Sequence, residues 1–134
     1  MKLIGIDYGR KRLGVATCNS LKITSPAGMV VRTNLAEDMW QLSEFMEDVE
    51  RIVVGFPKNM DDSCGEMARE AESFGKLMEE YFQLPVVMWD ERLTSWQAER
   101  ALLDAGLSRG QRNKRRDQIA AAIILQSYVD ANLP

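Results

Sequence analysis

The chain has 134 residues, 46% of them hydrophobic, a formal charge of −3, two cysteines and no histidine. That length predicts a single domain over 1–134 with a real core. The lack of histidine excludes Ser-His-Asp and Cys-His nucleophiles, histidine general bases and histidine-ligated zinc.

The first strand, Lys2 to Asp7, closes on a carboxylate, and Tyr8-Gly9-Arg10-Lys11-Arg12 makes a tight basic turn into a second strand, about Leu13 to Cys18. An ionised carboxylate is costly to desolvate at the end of a buried strand. It is placed either to hold a metal ion or to serve as a turn aspartate before glycine. A third strand, about Lys22 to Val31 with an interruption near Pro26-Ala27-Gly28, completes an antiparallel meander. Asn34 is the expected cap of the next helix, with Glu37 as its capping-box partner. Leu35, Met39, Leu42, Met46 and Val49 supply a core-facing stripe, and the opposite face is acidic. From Glu37 to Glu50 there are six acids and no base.

Ile52 to Gly55 is a short apolar strand of the kind found inside parallel sheets. Beyond the loop Phe56 to Asp62, a helix is expected from about Ser63 to Phe82. Pro85 to Trp89 is another buried strand, and it ends on Asp90-Glu91. Thr94 with Gln97 makes a second capping box, opening a helix that stops before Gly106. The final helix is expected from about Asn113 to Asp130. Trp40 and Trp89 are expected in the core, and Trp96 is open to stacking on bases. No apolar run reaches membrane-spanning length. Cys18 and Cys64 stand apart, as thiols do in a reducing compartment, so the chain is expected to be cytoplasmic.

This order predicts an α/β fold with a mixed five-stranded sheet, three antiparallel strands followed by parallel ones, flanked by helices. Sites in such sheets lie at the carboxyl ends of strands, where Asp7 and Asp90-Glu91 fall. Asp117 shares a helix face with Ala120, Ala121, Ile124 and Tyr128. Small residues there allow close approach to the sheet, which would bring Asp117 to the strand ends. The competing reading is an aspartate in the first helical turn, favoured by the helix dipole. Three carboxylates so placed suit Mg²⁺ or Mn²⁺. Two such ions roughly 4 Å apart activate a water and stabilise the leaving oxygen in phosphodiester hydrolysis. Between Ala105 and Arg116 there are five bases and no acid. Arg112, Lys114, Arg115 and Arg116 are therefore candidate phosphate contacts, as are Arg10, Lys11, Arg12, Lys58, Asn59 and Arg92. Each also has a plain alternative as a solvated or loop residue, and Arg92 could pair with Asp90 instead.

Four motifs occur in order: Gly5-Ile6-Asp7-Tyr8-Gly9-Arg10-Lys11-Arg12-Leu13-Gly14-Val15-Ala16, Val54-Gly55-Phe56-Pro57-Lys58-Asn59-Met60-Asp61, Asp90-Glu91-Arg92-Leu93-Thr94 and Asp117-Gln118-Ile119-Ala120-Ala121. Together they resemble the YqgF/RuvX family, RuvC-like members of the ribonuclease H superfamily, over nearly the whole chain. The resemblance implies a ribonuclease H-like fold and a Mg²⁺-dependent nuclease maturing the 5′ end of 16S ribosomal RNA. It implies Asp7, Glu91 and Asp117 as the metal-binding, catalytic acids. One departure stands out: RuvC resolvases carry an acid at the strand matching Ile52 to Gly55, whereas here that strand runs into Phe56-Pro57 and the acid comes from the next strand. Asp90 and Glu91 point to opposite faces of an extended strand. Their order leaves open which one meets Asp7, and the resemblance favours Glu91.

The expected substrate is RNA, as pre-16S rRNA or a ribosomal particle. One alternative is a resolvase acting on branched DNA as a two-fold dimer. Another is a non-catalytic nucleic-acid-binding or transcription-associated module. The Asp-x-Gly hairpin also occurs in actin-like nucleotide-binding lobes, but those come in pairs. The acidic helix face opposes close self-association, so a monomer or weak homodimer is expected.

Overall fold

The computed structural model describes residues 2–56, 65–90 and 109–132, with the backbone alone described over 109–115. Five strands form one sheet in the order β3-β2-β1-β4-β5: β1 Lys2–Asp7, β2 Arg12–Cys18, β3 Thr24–Val31, β4 Val49–Phe56 and β5 Val86–Asp90. β1, β2 and β3 pair antiparallel, while β1 with β4 and β4 with β5 pair parallel. This is the mixed sheet expected from the order of elements. Three described helices cover it: α1 Leu35–Ser43, α2 Glu66–Phe82 and α3 Arg109–Asn132.

Strand alternation sorts the core into two layers. Ile4, Ile6, Leu13, Val15, Ile52 and Val54 face one side and pack with Met39 and Leu42 of α1 and with Phe74 and Met78 of α2. Leu3, Ala16, Cys18 and Val53 face the other and pack with Ala121, Ile124, Leu125, Tyr128 and Val129 of α3. Fully burying a Leu, Ile or Val side chain contributes about 1.5–3 kcal/mol, so both layers are needed to hold the sheet.

Several element bounds differ from the sequence expectations. β3 starts at Thr24, because Lys22 takes a left-handed conformation (φ 63°) in a turn where the Asn19 side chain accepts the Leu21 and Ile23 N–H groups. The expected interruption is a bulge: Val15 pairs with Gly28 and Ala16 with Pro26, leaving Ala27 as the extra residue. α1 is capped by Asn34, whose side chain accepts the Glu37 N–H, but it ends at Ser43. Val49 opens β4 by pairing with Lys2, so the strand is longer than Ile52 to Gly55. Leu35 is half exposed and Trp40 is 60% exposed, against the expectation of burial. Trp40 lies about 100° around the helix from the buried Met39 and so looks outward. Asp38 does not belong to the exposed acidic face, since it is buried against Arg32. α2 starts at Glu66 rather than near Ser63, because Gly65 is its extended N-cap. The expected helix between Thr94 and Gly106, Cys64 and Trp96 lie outside the described residues.

α3 begins at Arg109 rather than Asn113, so Asp117 sits in the third turn and not the first. The helix comes against the sheet at two glycines. A Cβ on Gly5 would stand 2.8 Å from Leu125 Cβ and 3.0 Å from the Ala121 carbonyl oxygen, and one on Gly14 would overlap the Asp117 backbone. Gly14→Ala should therefore push α3 off β2 and cost about 2 kcal/mol or more. A urea midpoint lowered accordingly, at unchanged m-value, is the expected reading. A wild-type midpoint would mean that the helix yields freely.

Candidate active site

Asp7 ends β1 on the α3 side of the sheet. One row of paired residues crosses all five strands there: Met29, Gly14, Asp7, Gly55 and Trp89. Glycine, which has no side chain, flanks Asp7 on both sides of the row. On the Gly14 side, the α3 backbone at Asp117 lies directly over the strand. Asp7 and the Asp117 backbone, distant in sequence, thus both adjoin Gly14 on one face at the carboxyl end of β1. β4 contributes Gly55 to this row rather than an acid, consistent with the departure from the RuvC pattern noted in the sequence.

The neighbouring acid is also placed. Val87 and Trp89 pack on the α3 layer while Val86 and Met88 pack on the α1/α2 layer. Asp90 pairs with Phe56, itself packed on the α1/α2 layer, so Asp90 belongs to the face away from Asp7. Glu91, Arg92, Lys58 and Asn59 lie outside the described residues.

The basic turn splits its charges between the two faces. Arg12 Nε pairs as an ion with Asp117 Oδ2 at 3.0 Å, with side chains 59% and 28% exposed. Arg10 turns to α2, where Nη2 meets Glu70 Oε2 at 2.6 Å and Glu66 at 3.9 Å. The hydrogen bond and charge of Glu70 hold the Arg10 guanidinium above its usual value, and the same contact holds the Glu70 carboxyl below the usual carboxylate range. Lys11 stands exposed between them. Arg10 and Arg12, expected as nucleic-acid contacts, therefore each engage an acid of the protein.

Because Asp117 lies over Gly14 and Leu125 over Gly5, α3 runs antiparallel to β1. Its first two turns, carrying Arg112, Lys114, Arg115 and the exposed Arg116, lead into the site from the strands' carboxyl ends. Trp89 is not available for stacking on bases. Its indole N–H donates to Ser127 Oγ at 3.1 Å, and its ring meets Tyr128 edge-on at 5.4 Å.

Among the described residues no three metal-binding side chains come together. The donor set that is described, two carboxylates with no soft ligand beside flanking glycines, suits a hard oxygen-seeking divalent cation. The sequence reading missed Arg32 and Asp38, which brace the turn after Asp7. The signal was available for Asp38, which lies three residues after Leu35 and four before Leu42, on the apolar side of α1.

A mixed sheet of this order, with acids at a strand end and on the helix that closes over it, defines a ribonuclease H-like protein. Its solved neighbours agree in fold. One is titled "T. thermophilus RuvC in complex with Holliday junction substrate", with TM-score 0.63 and 14% identity, covering 99% of this chain and 97% of that one. The fowlpox virus Holliday junction resolvase has TM-score 0.63 and 13% identity over 98% and 99% of the two chains. Within that class the chain belongs to the RuvX family, whose model, described as "RuvX: Holliday junction resolvase", matches residues 1–131. A relative from Bacillus subtilis (strain 168), named "Putative pre-16S rRNA nuclease", is 40% identical over 98% of this chain and 99% of its own.

Proposed function

We propose that this protein is a divalent-metal-dependent nuclease that hydrolyses phosphodiester bonds in RNA, in the 5′-end maturation of pre-16S ribosomal RNA in the cytoplasm. The observation that carries the reading is that Asp7 and the Asp117 backbone adjoin the same residue, Gly14, on one face of the sheet. Asp90 lies on the α1/α2 face and so does not serve as the third acid, and the family's Asp90-Glu91 motif leaves Glu91 for that place. Glu91 is accordingly assigned with Asp7 and Asp117 as a metal-binding, catalytic residue. These acids would hold Mg²⁺ or Mn²⁺, which would supply activation of water and neutralisation of phosphate charge.

The protein's own groups do the rest. Arg12 holds the Asp117 carboxylate through their ion pair. Arg112, Lys114, Arg115 and Arg116, at the start of α3, grip backbone phosphates and set the strand's direction across the acids. The positive end of the helix dipole adds to their field. Lys11, Lys58, Asn59 and Arg92 are assigned as further phosphate contacts.

The relatives' name favours RNA, while the family description keeps junction DNA as the second reading. A resolvase needs an isologous dimer to cut two strands symmetrically. A monomer or weak dimer is expected here. Purified protein with Mn²⁺ should cut a precursor carrying the 16S 5′ leader, or the ribosomal particle containing it, and depletion in cells should make 5′-extended 16S precursors accumulate. Normal precursor levels, together with paired symmetrical nicks in a four-way DNA junction, would replace this reading with the resolvase.

A further inference from the structure

One residue outside the acid cluster ties together the turn that links its members. Arg32 follows β3, and its backbone N–H donates to the Lys11 carbonyl at 2.9 Å. Its side chain reaches under the turn, where Nη1 donates to Tyr8 Oη at 2.9 Å and to the Gly9 carbonyl at 3.1 Å. Nε donates to Asp38 Oδ2 at 3.2 Å. Tyr8, Gly9 and Lys11, all in the turn between Asp7 and Arg12, are therefore bonded to the same residue. The guanidinium lies 5.0 Å from the Tyr8 ring centroid and 4.9 Å from that of Phe74. Its side chain is 19% exposed, and that of Asp38 only 2%. Asp38 is fixed in turn by accepting the Thr33 N–H at 3.0 Å. Burial weakens the guanidinium's charge, but its hydrogen bonds to Tyr8 and Asp38 prevail and hold it above its ordinary value.

We propose that Arg32 is a positioning residue for the acids, setting where Asp7 stands by clamping the turn that follows it; this rests on the metal-site reading above. The turn has little freedom of its own, because Gly9 packs so tightly on the Arg12 carbonyl that even a Cβ would collide. A shift at Tyr8 or Gly9 passes directly to Asp7 on one side. On the other side it passes to Arg12, and through it to Asp117. The planar fork of arginine serves Tyr8 Oη, the Gly9 carbonyl and Asp38 together, whereas a lysine point charge does not match that geometry.

The test titrates Mn²⁺ by electron paramagnetic resonance, and RNA cleavage by steady-state kinetics, in the wild type, Asp7→Asn, Arg32→Lys and the double variant Arg32→Met/Asp38→Asn. The double variant removes both buried charges and keeps an acceptor for the Thr33 N–H, so it should fold. Arg32→Lys keeps the counter-charge for Asp38 and loses only the fork. Both should bind Mn²⁺ about tenfold or more weakly, as expected for groups that orient metal ligands. Both should lose kcat with little change in KM for RNA, as when an interaction made only in the transition state is removed. Wild-type Mn²⁺ affinity and kcat in either variant would overturn the proposal and leave Arg32 a structural counter-ion. Wild-type Mn²⁺ affinity in Asp7→Asn would instead sink the metal-site reading, and this proposal with it.

Discussion

Asp7→Asn should abolish cleavage while the protein stays folded. The residue ends β1 in a row flanked by Gly14 and Gly55, on the face where Asp117 arrives from α3. An amide has nearly the same shape but lacks the charge that holds a divalent cation. If the acids supply about 3–4 kcal/mol of transition-state stabilisation, the loss in kcat is roughly 10²–10³-fold. Asp117→Asn should behave alike. Its ion pair joins a half-buried carboxylate to the exposed Arg12 guanidinium, so losing it costs about 1 kcal/mol of stability. Unfolding therefore does not account for an inactive variant, and circular dichroism with a thermal melt would establish that. Asp90→Asn should be much milder than Glu91→Gln, since Asp90 belongs to the opposite face. Full activity in Asp7→Asn, or the reverse order for Asp90 and Glu91, would refute the assignment of the acids.

The second large effect belongs to the start of α3. Alanine at Arg112, Lys114, Arg115 and Arg116 together should flatten the dependence of RNA affinity on salt by about three logarithmic units, near 0.7–0.9 for each phosphate that is no longer neutralised. Affinity should fall across sequences rather than for one sequence. Alanine is the best helix former, so the helical backbone from Arg109 onward should survive the change. Filter binding of a pre-16S fragment from low to moderate salt gives the slope directly. An unchanged slope would reduce these bases to a solvated helix start. Arg10 and Arg12 should contribute less than this group, because each already engages a carboxylate of the protein.

The sequence by itself determined the architecture. Apolar runs, caps at Asn34 and a helical face of small residues specify elements locally, and the order of those elements leaves few ways to pair the strands. It also determined which acids to consider, because a chain without histidine has only carboxylates to hold a hard cation. Tertiary structure decided the rest. The face of Asp90 depends on the register of β5 against β4, which pairs it with Phe56. The place of Asp117 in the third turn depends on where α3 begins, at Arg109 rather than Asn113; the Ser108-x-x-Gln111 capping box was the sequence signal for it. The outward turn of Trp40 and the burial of Asp38 follow from how α1 docks. Helical spacing already puts Asp38 on the apolar side of α1, but what makes its burial tolerable is Arg32, reaching it from beyond β3, together with the Thr33 N–H. Interactions of that kind join residues through the packing of separate elements, and no local pattern encodes them.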